Sequence, residues 1–181
     1  MLLNAQVEKN PKNDKGFTPL HIAAHQGHSE VCRILLENNV EKNPKGNDGN
    51  TPLHIAANGN KMEVVRILLE DQVEKNPIND KGITPLHCAS GLGHFEVCKI
   101  LLENNVDKNP KGNLHGNTPL HIAALFGHLD ICKALIQSGA ERFPRNNNGK
   151  TPLDFASTDS SKPEVVEVAS FLRNLRKRPF A

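Results

Sequence analysis

The chain has no tryptophan and no tyrosine, and seven phenylalanines make up the whole of its 4% aromatic content. Few large aromatic anchors are therefore on hand for a compact core or for stacking on bases. An excess of one charge is missing too: 22 Lys and Arg against 20 Asp and Glu leave +2 with His neutral. That falls well short of the basic footprint of a nucleic-acid binder. No apolar run approaches the ~18 residues needed to cross a bilayer. The opening MLLNAQVEK is too short and too polar for a secretory h-region. Membrane and secreted classes are not expected, and a cytoplasmic location is, with a nuclear one compatible with the basic tail.

The four cysteines form no CxxC pair and no dense framework. Cys32, Cys98 and Cys132 follow Val or Ile in EVCRILL, EVCKILL and DICKALI, where the matching stretch EVVRILL has Val65; Cys88 stands in TPLHCAS. A free Cys packs as a small hydrophobe, so these read as core fillers in a reducing compartment. Nucleophile elbow, phosphate-cradling Gly loop, HExxH and Cys/His metal spacing are all missing. No enzyme, cofactor or metal is expected.

What the sequence does contain is a period. TPL begins at Thr18, Thr51, Thr84, Thr118 and Thr151, at spacings of 33, 33, 34 and 33 residues across a chain of 181. A Gly stands two residues before each Thr (Gly16, Gly49, Gly82, Gly116, Gly149), and TPLHIAA or a close variant follows. Asp14-Lys15-Gly16 is turn chemistry, since Gly and Asn tolerate positive φ. Thr then Pro starts a helix: Thr can cap, and Pro suits the first helical position. The pattern predicts a first helix near Pro19 to His25, with Leu20, Ile22, Ala23 and Ala24 in close contact. After the Gly27-His28 break a second helix is expected from about Ser29 to Glu37, with Val31, Ile34 and Leu35 on one face.

A turn and two short helices cannot bury their apolar face alone, whereas stacked units can, as a quasi-one-dimensional solenoid. With its 33-residue period and TPLHxA string the sequence resembles the ankyrin-repeat family over essentially its whole length. The resemblance implies an all-α solenoid of stacked helix-turn-helix units with protruding β-hairpin-like turns. The expected division is a partial N-terminal repeat at 1–12, repeats at 13–45, 46–78, 79–112 and 113–145, and a C-terminal capping repeat at 146–181. Met1-Leu2-Leu3 aligns with Ile34-Leu35-Leu36, so the chain is expected to start inside a second helix. At the other end Ser161-Lys162-Pro163-Glu164 has the form of a capping box, and Arg173 stands where other units carry Leu36 or Leu69, giving the polar face a terminal cap needs.

Several positions depart from the family. NPKGNLHGN adds a residue before Thr118, so a bulge is expected at Leu114 and His115. The family's helix-ending glycine is replaced by Asn39, Gln72 and Asn105, and its usual Val by Lys42, Lys75 and Lys108; strain is expected at Gln72. The second unit reads NGNK where others read GH, which should weaken its turn.

Nine histidines invite a metal or catalytic reading, but seven recur with the period. The resemblance implies that His21, His54, His87 and His121 are structural, bonded to backbone and to Thr18, Thr51, Thr84 and Thr118. Glu30, Glu63, Glu96 and Asp130 recur at the second helix's first turn, where carboxylates suit the helix dipole. Lys12, Lys45, Lys111 and Arg145 would line the hairpin edge, broken at Ile78. The family can be hydroxylated at a hairpin Asn matched here by Asn43, Asn76 and Asn109, although the replaced Val beside them speaks against it.

Where the frame repeats, the positions that vary between units can carry specificity. In the family these lie on the concave face of hairpin tips and first helices. Ile78, Ile83, Leu92, Leu114, Leu125 and Phe126 gather in the third and fourth units, while the others offer mostly polar groups. An apolar patch with a polar rim is the anatomy of a protein interface. The candidate contact residues are Phe17, His25, Asn50, Asn58, Asp80, Ile83, Leu92, Leu114, His115, Asn117, Leu125 and Phe126, with Phe126 the leading anchor. The expected function is a monomeric, non-catalytic protein-interaction module with a protein partner and no nucleic-acid or membrane ligand. The alternative is a structural spacer in a longer array.

Overall fold

Each Thr-Pro pair starts a helix and each inter-helix Gly or Asn ends one. The computed structural model describes residues 8–112, 115–157 and 161–176. Ten helices form among them: α1 (Pro19–Gln26), α2 (Ser29–Glu37), α3 (Pro52–Asn58), α4 (Met62–Glu70), α5 (Pro85–Leu92), α6 (Phe95–Glu103), α7 (Pro119–Leu125), α8 (Leu129–Gln137), α9 (Pro152–Ala156) and α10 (Pro163–Arg176). Odd-numbered helices pack on one another in sequence, as do the even-numbered ones, and each helix packs on its pair. The result is an all-α stack of paired helices in two layers. Among the described residues there is no strand, only an isolated bridge between Gly112 and Asn117. The segment Met1-Leu2-Leu3 and Leu114 fall outside the described residues, as do Lys177 and Arg178 of the basic tail.

The core follows the period. Leu20, Leu53, Leu86 and Leu120 are fully buried in one layer, and Leu68, Leu101, Leu135 and Leu172 in the other. Ala24, Ala56, Ala57, Ala123 and Ala124 are also buried, and their small side chains allow the odd-numbered helices to approach closely. Cys32, Cys98 and Cys132 are buried in the even layer and Cys88 is half-buried; all four are free thiols. Burial pushes Cys32 and Cys88 up to about 11, and Cys98 and Cys132 up to about 12.

The expected apolar face of α2 needs correction. Cys32 and Leu36 are its buried residues, while Val31 and Ile34 are exposed and Leu35 is half-buried. Ile34 is 50% exposed, whereas its counterpart Ile67 in α4 is 4% exposed. The difference is positional: Ile67 lies between two packed helix pairs, and Ile34 faces outward from the first. Ile22 of α1 is exposed on the same grounds.

Backbone geometry explains the departures from the family pattern. Asn39, Gln72 and Asn105 all take positive φ, at 57°, 60° and 57°. Asn60, at φ 54°, fills the place that Gly27, Gly93 and Gly127 hold in the other turns. Asn is tolerated in this region; a long side chain such as Gln is disfavoured by about 1–2 kcal/mol. Replacing Gln72 by Gly is therefore expected to stabilise the chain by about 0.5–1 kcal/mol after the extra entropy of Gly is deducted. Thermal unfolding should show this as a rise in midpoint of roughly 1–4 °C; an unchanged or lower midpoint would mean that the junction stores no strain.

Candidate protein-binding surface

Neighbouring units are tied by polar stitches at fixed offsets, and these decide which side chains remain available. In each of the first four units a Thr N–H donates to a His Nδ1, at 3.1 Å for Thr18–His21 and Thr118–His121 and 3.2 Å for Thr51–His54 and Thr84–His87. Because Nδ1 accepts, the ring proton sits on Nε2. Nε2 then donates across the boundary to the carbonyls of Asn50, Ile83, Asn117 and Lys150, at 2.8–2.9 Å. All four rings are buried, and desolvation holds their pKa below the ordinary value of 6.5, opposed by the backbone bond. In the fifth unit Asp154 takes the place of His and accepts from the Thr151 N–H and hydroxyl; these bonds hold its carboxyl below the usual range.

A second stitch uses asparagine. The Oδ1 atoms of Asn10, Asn43, Asn76 and Asn109 accept the backbone N–H of Glu41, Glu74, Asp107 and Glu141. The replaced family Val has its own role: Lys42 and Lys75 donate to the carbonyls of Asp71 and Asn104 at the ends of α4 and α6, as Lys9 does to Asn38 at the end of α2. Lys42 also pairs with the Asp71 carboxylate at 2.9 Å. The hairpin-edge cations are engaged similarly, Lys12 with the Lys45 carbonyl, Lys45 with the Ile78 carbonyl and Arg145 with the Gly149 carbonyl.

Several expected contact residues take part in these stitches or lie beside them. Asn117 is 6% exposed; its Oδ1 accepts from Asn146 and its carbonyl from His87. Asn50 is half-buried, donating to Asp48 and accepting from Asn79. Phe17 is half-buried, stacked on the His21 ring at 4.9 Å and closely packed on Gly46. Ile83 is half-buried, with its N–H and carbonyl both bonded. All four sit in the frame that joins hairpins to helices, and Asn117 is the one of them nearly closed to solvent.

His25, Asn58, Asp80 and His115 are exposed, and Leu125 is half-buried. Leu92 and Phe126 are 51% and 54% exposed. They occupy the same register in successive units, at the ends of α5 and α7. His128 joins them. Its ring stacks on Phe126 at 6.3 Å, lies against Gly93, and carries Nε2 3.4 Å from the Gly91 carbonyl. A Cβ on Gly93 would stand 2.8 Å from that ring, so the glycine beside Leu92 is needed for the close approach. Ile83 lies two residues before α5, at the opposite end from Leu92, and the helix between them is itself about 10–12 Å long at 1.5 Å per residue. The expected patch is thus divided between the hairpin end and the turn end.

The turn end carries residues that sequence reasoning missed. Met62 is exposed and Phe95 and Leu129 are half-buried, each opening an even-numbered helix just after the turn. The signal was present: this register reads Ser29, Met62, Phe95 and Leu129, varying between units as Gln26, Gly59, Leu92 and Phe126 do.

The family description "Ankyrin repeats (3 copies)" matches residues 1–79, 38–112, 72–142 and 109–172. The chain belongs to the ankyrin-repeat family. Ankyrin repeats are typically protein-binding and non-catalytic. Protein phosphatase 1 regulatory subunit 12A of Mus musculus and that of Rattus norvegicus are similar to this ankyrin chain, 50% identical over 38 residues. That stretch is 21% of this chain and 4% of each relative. About one unit is shared, so the likeness rests on the repeat frame. Among the described residues no helix is long and apolar enough to cross a membrane.

Proposed function

We propose that this chain is a non-catalytic protein-interaction module that holds a protein partner on the concave side of the stack, anchored at the turn end of α5 and α7. The observation that carries this reading is the exposed pair Leu92 and Phe126, braced by His128 where the frame requires no apolar side chain. Large apolar groups exposed in register beside polar neighbours such as His25, Asn58 and Asp80 suit an interface with an apolar centre and a polar rim. Leu125, half-buried, is the last residue of α7 and directly precedes Phe126.

Protein capture tests this. Wild type and a Leu92→Glu, Phe126→Glu variant, both shown by circular dichroism to be folded, are compared for proteins retained from a lysate. The variant is expected to lose a partner that wild type holds by at least about tenfold, since a buried anchor contributes 2 kcal/mol or more. An identical set captured by both would place the binding surface elsewhere.

A second reading, a spacer segment within a longer array, draws support from the outward-facing Ile22, Val31 and Ile34. Val64 and Ile67, the counterparts of Val31 and Ile34, are buried between units, Ile55, the counterpart of Ile22, is half-buried, and Lys9 and Asn10 already make the stitches that join one unit to the next.

A further inference from the structure

Two asparagines of the chain directly precede a glycine: Asn58 in the second unit and Asn148 in the fifth. Glycine has no Cβ to shield its own nitrogen, so that nitrogen can reach the side-chain amide before it. The two pairs differ in how firmly the peptide between them is held. Asn58 ends α3, where the Gly59 N–H donates to the Ile55 carbonyl at 3.0 Å. The Asn58 carbonyl accepts from His94 Nε2 of the next unit at 3.1 Å. Helix and neighbouring unit thus hold that peptide from both sides.

Asn148 stands in a hairpin turn. Three of its counterparts, Lys15, Asp48 and His115, have their carbonyls bonded to the N–H groups of Asn47, Asp80 and Asn147 in the following hairpin, at 2.9–3.2 Å. A Cβ on Gly16, Gly49 or Gly116 would run into those same three residues, whereas one on Gly149 would meet nothing within 4 Å. Among the described residues no other unit bonds the Asn148 carbonyl, and Asn148 and Gly149 are both exposed. Their peptide is held on one side only, by the Gly149 N–H on the Asn146 carbonyl at 2.9 Å within the turn.

We propose that Asn148 is a site of spontaneous deamidation, an enzyme-free modification that places a carboxylate on the last hairpin. The Gly149 nitrogen bonds to Asn148 Cγ, and the side-chain nitrogen leaves as ammonia, taking the Gly149 amide proton with it. A cyclic imide remains. Water then opens it at either carbonyl, giving aspartate or the isomer linked through its side chain. The attacking nitrogen is ionised, and the Arg145 guanidinium, 2.7 Å from the Gly149 carbonyl, is an opposite charge that favours it. The aspartate product resembles Asp48, which holds the same place in the second unit and accepts from the Asn50 N–H. The isoaspartate product lengthens the backbone by one carbon and forfeits the Asn146 bonds of the turn.

The folded full chain is incubated for weeks near neutral pH at body temperature, beside a sample held in urea. Peptide mass mapping then resolves Asn58, Asn147 and Asn148 and separates aspartate from isoaspartate. In the folded chain Asn148 is expected to convert at least about tenfold faster than Asn58, since conversion waits on local opening of the peptide. In urea the two should convert at equal rates, because Gly follows both. Gly149→Asn, an exchange that the positive φ of 73° tolerates, should slow conversion at Asn148 at least about tenfold. Equal rates at Asn58 and Asn148 in the folded chain would overturn the proposal. So would an Asn148 that stays intact when folded but converts in urea, because the internal bond of the turn would then be protection enough. Conversion of Asn147 as fast as Asn148 would remove the role given to Gly149, and conversion at neither site in either sample would overturn the proposal outright.

Discussion

Lowering the pH from about 7.5 to 5.5 is expected to remove a large part of the chain's stability. His21, His54, His87 and His121 are buried, and each uses Nδ1 as an acceptor for a Thr N–H and Nε2 as a donor to the next unit. A proton on Nδ1 would replace that accepted bond with a donor facing a donor. Desolvation thus lowers all four pKa values in the folded chain below the ordinary 6.5. Between the folded and unfolded pKa the unfolded chain binds more protons, so stability rises with pH there. The contribution is complete above about pH 6.5 and is lost as the pH falls from there toward the folded values. Each ring adds a slope of at most about 1.4 kcal/mol per pH unit, and four together at most about 5.5. Urea unfolding at several pH values measures the slope. His87→Gln keeps a side chain suited to a capping box but does not titrate, and should reduce the slope by up to about 1.4 kcal/mol per unit. A stability flat across this range would falsify the neutral-imidazole account.

Leu101→Ala is expected to destabilise the chain by about 3–5 kcal/mol, the upper range for a leucine that leaves an uncollapsed cavity. Leu101 is 0% exposed in α6, and α6 packs on α4, α5 and α8. Alternation of packed units makes stability a sum of unit and boundary contributions, and this side chain lies in the middle of the stack. Its loss should weaken the joints on both sides, so urea unfolding should show a lower midpoint together with a smaller m-value as the two halves cease to unfold as one. A loss below about 1 kcal/mol would show that the neighbouring helices close over the site.

The fold was open to reading because its punctuation repeats. Thr-Pro starts recur in all five units and inter-helix Gly or Asn in the first four, and the expected span Ser29 to Glu37 is that of α2. The histidine relay was what the family resemblance implied for the four Thr–His pairs. Side-chain availability was far less legible. Asn50 and Asn117 vary from their counterparts in other units and so look free, but their partners, Asn79 and Asn146, stand 29 residues away. No local pattern announces that bond. Met62, Phe95 and Leu129 escaped notice for the opposite reason: an apolar residue opening a helix reads as core, and only packing reveals that Met62 is exposed. Val31 and Ile34 show the same limit, since their periodicity matches that of buried counterparts while their surroundings do not.

Burial of the cysteines has a consequence for reactivity. With pKa values of about 11 to 12, Cys32, Cys98 and Cys132 hold on the order of one thiolate per ten thousand molecules or fewer at neutral pH, and the thiolate is the nucleophile. Their side chains are also closed to any oxidant or alkylating reagent while the helices remain packed. Sulfur chemistry at these sites is consequently gated by the opening of α2, α6 or α8. The rate at which each thiol is modified would then record how often its own part of the stack comes apart.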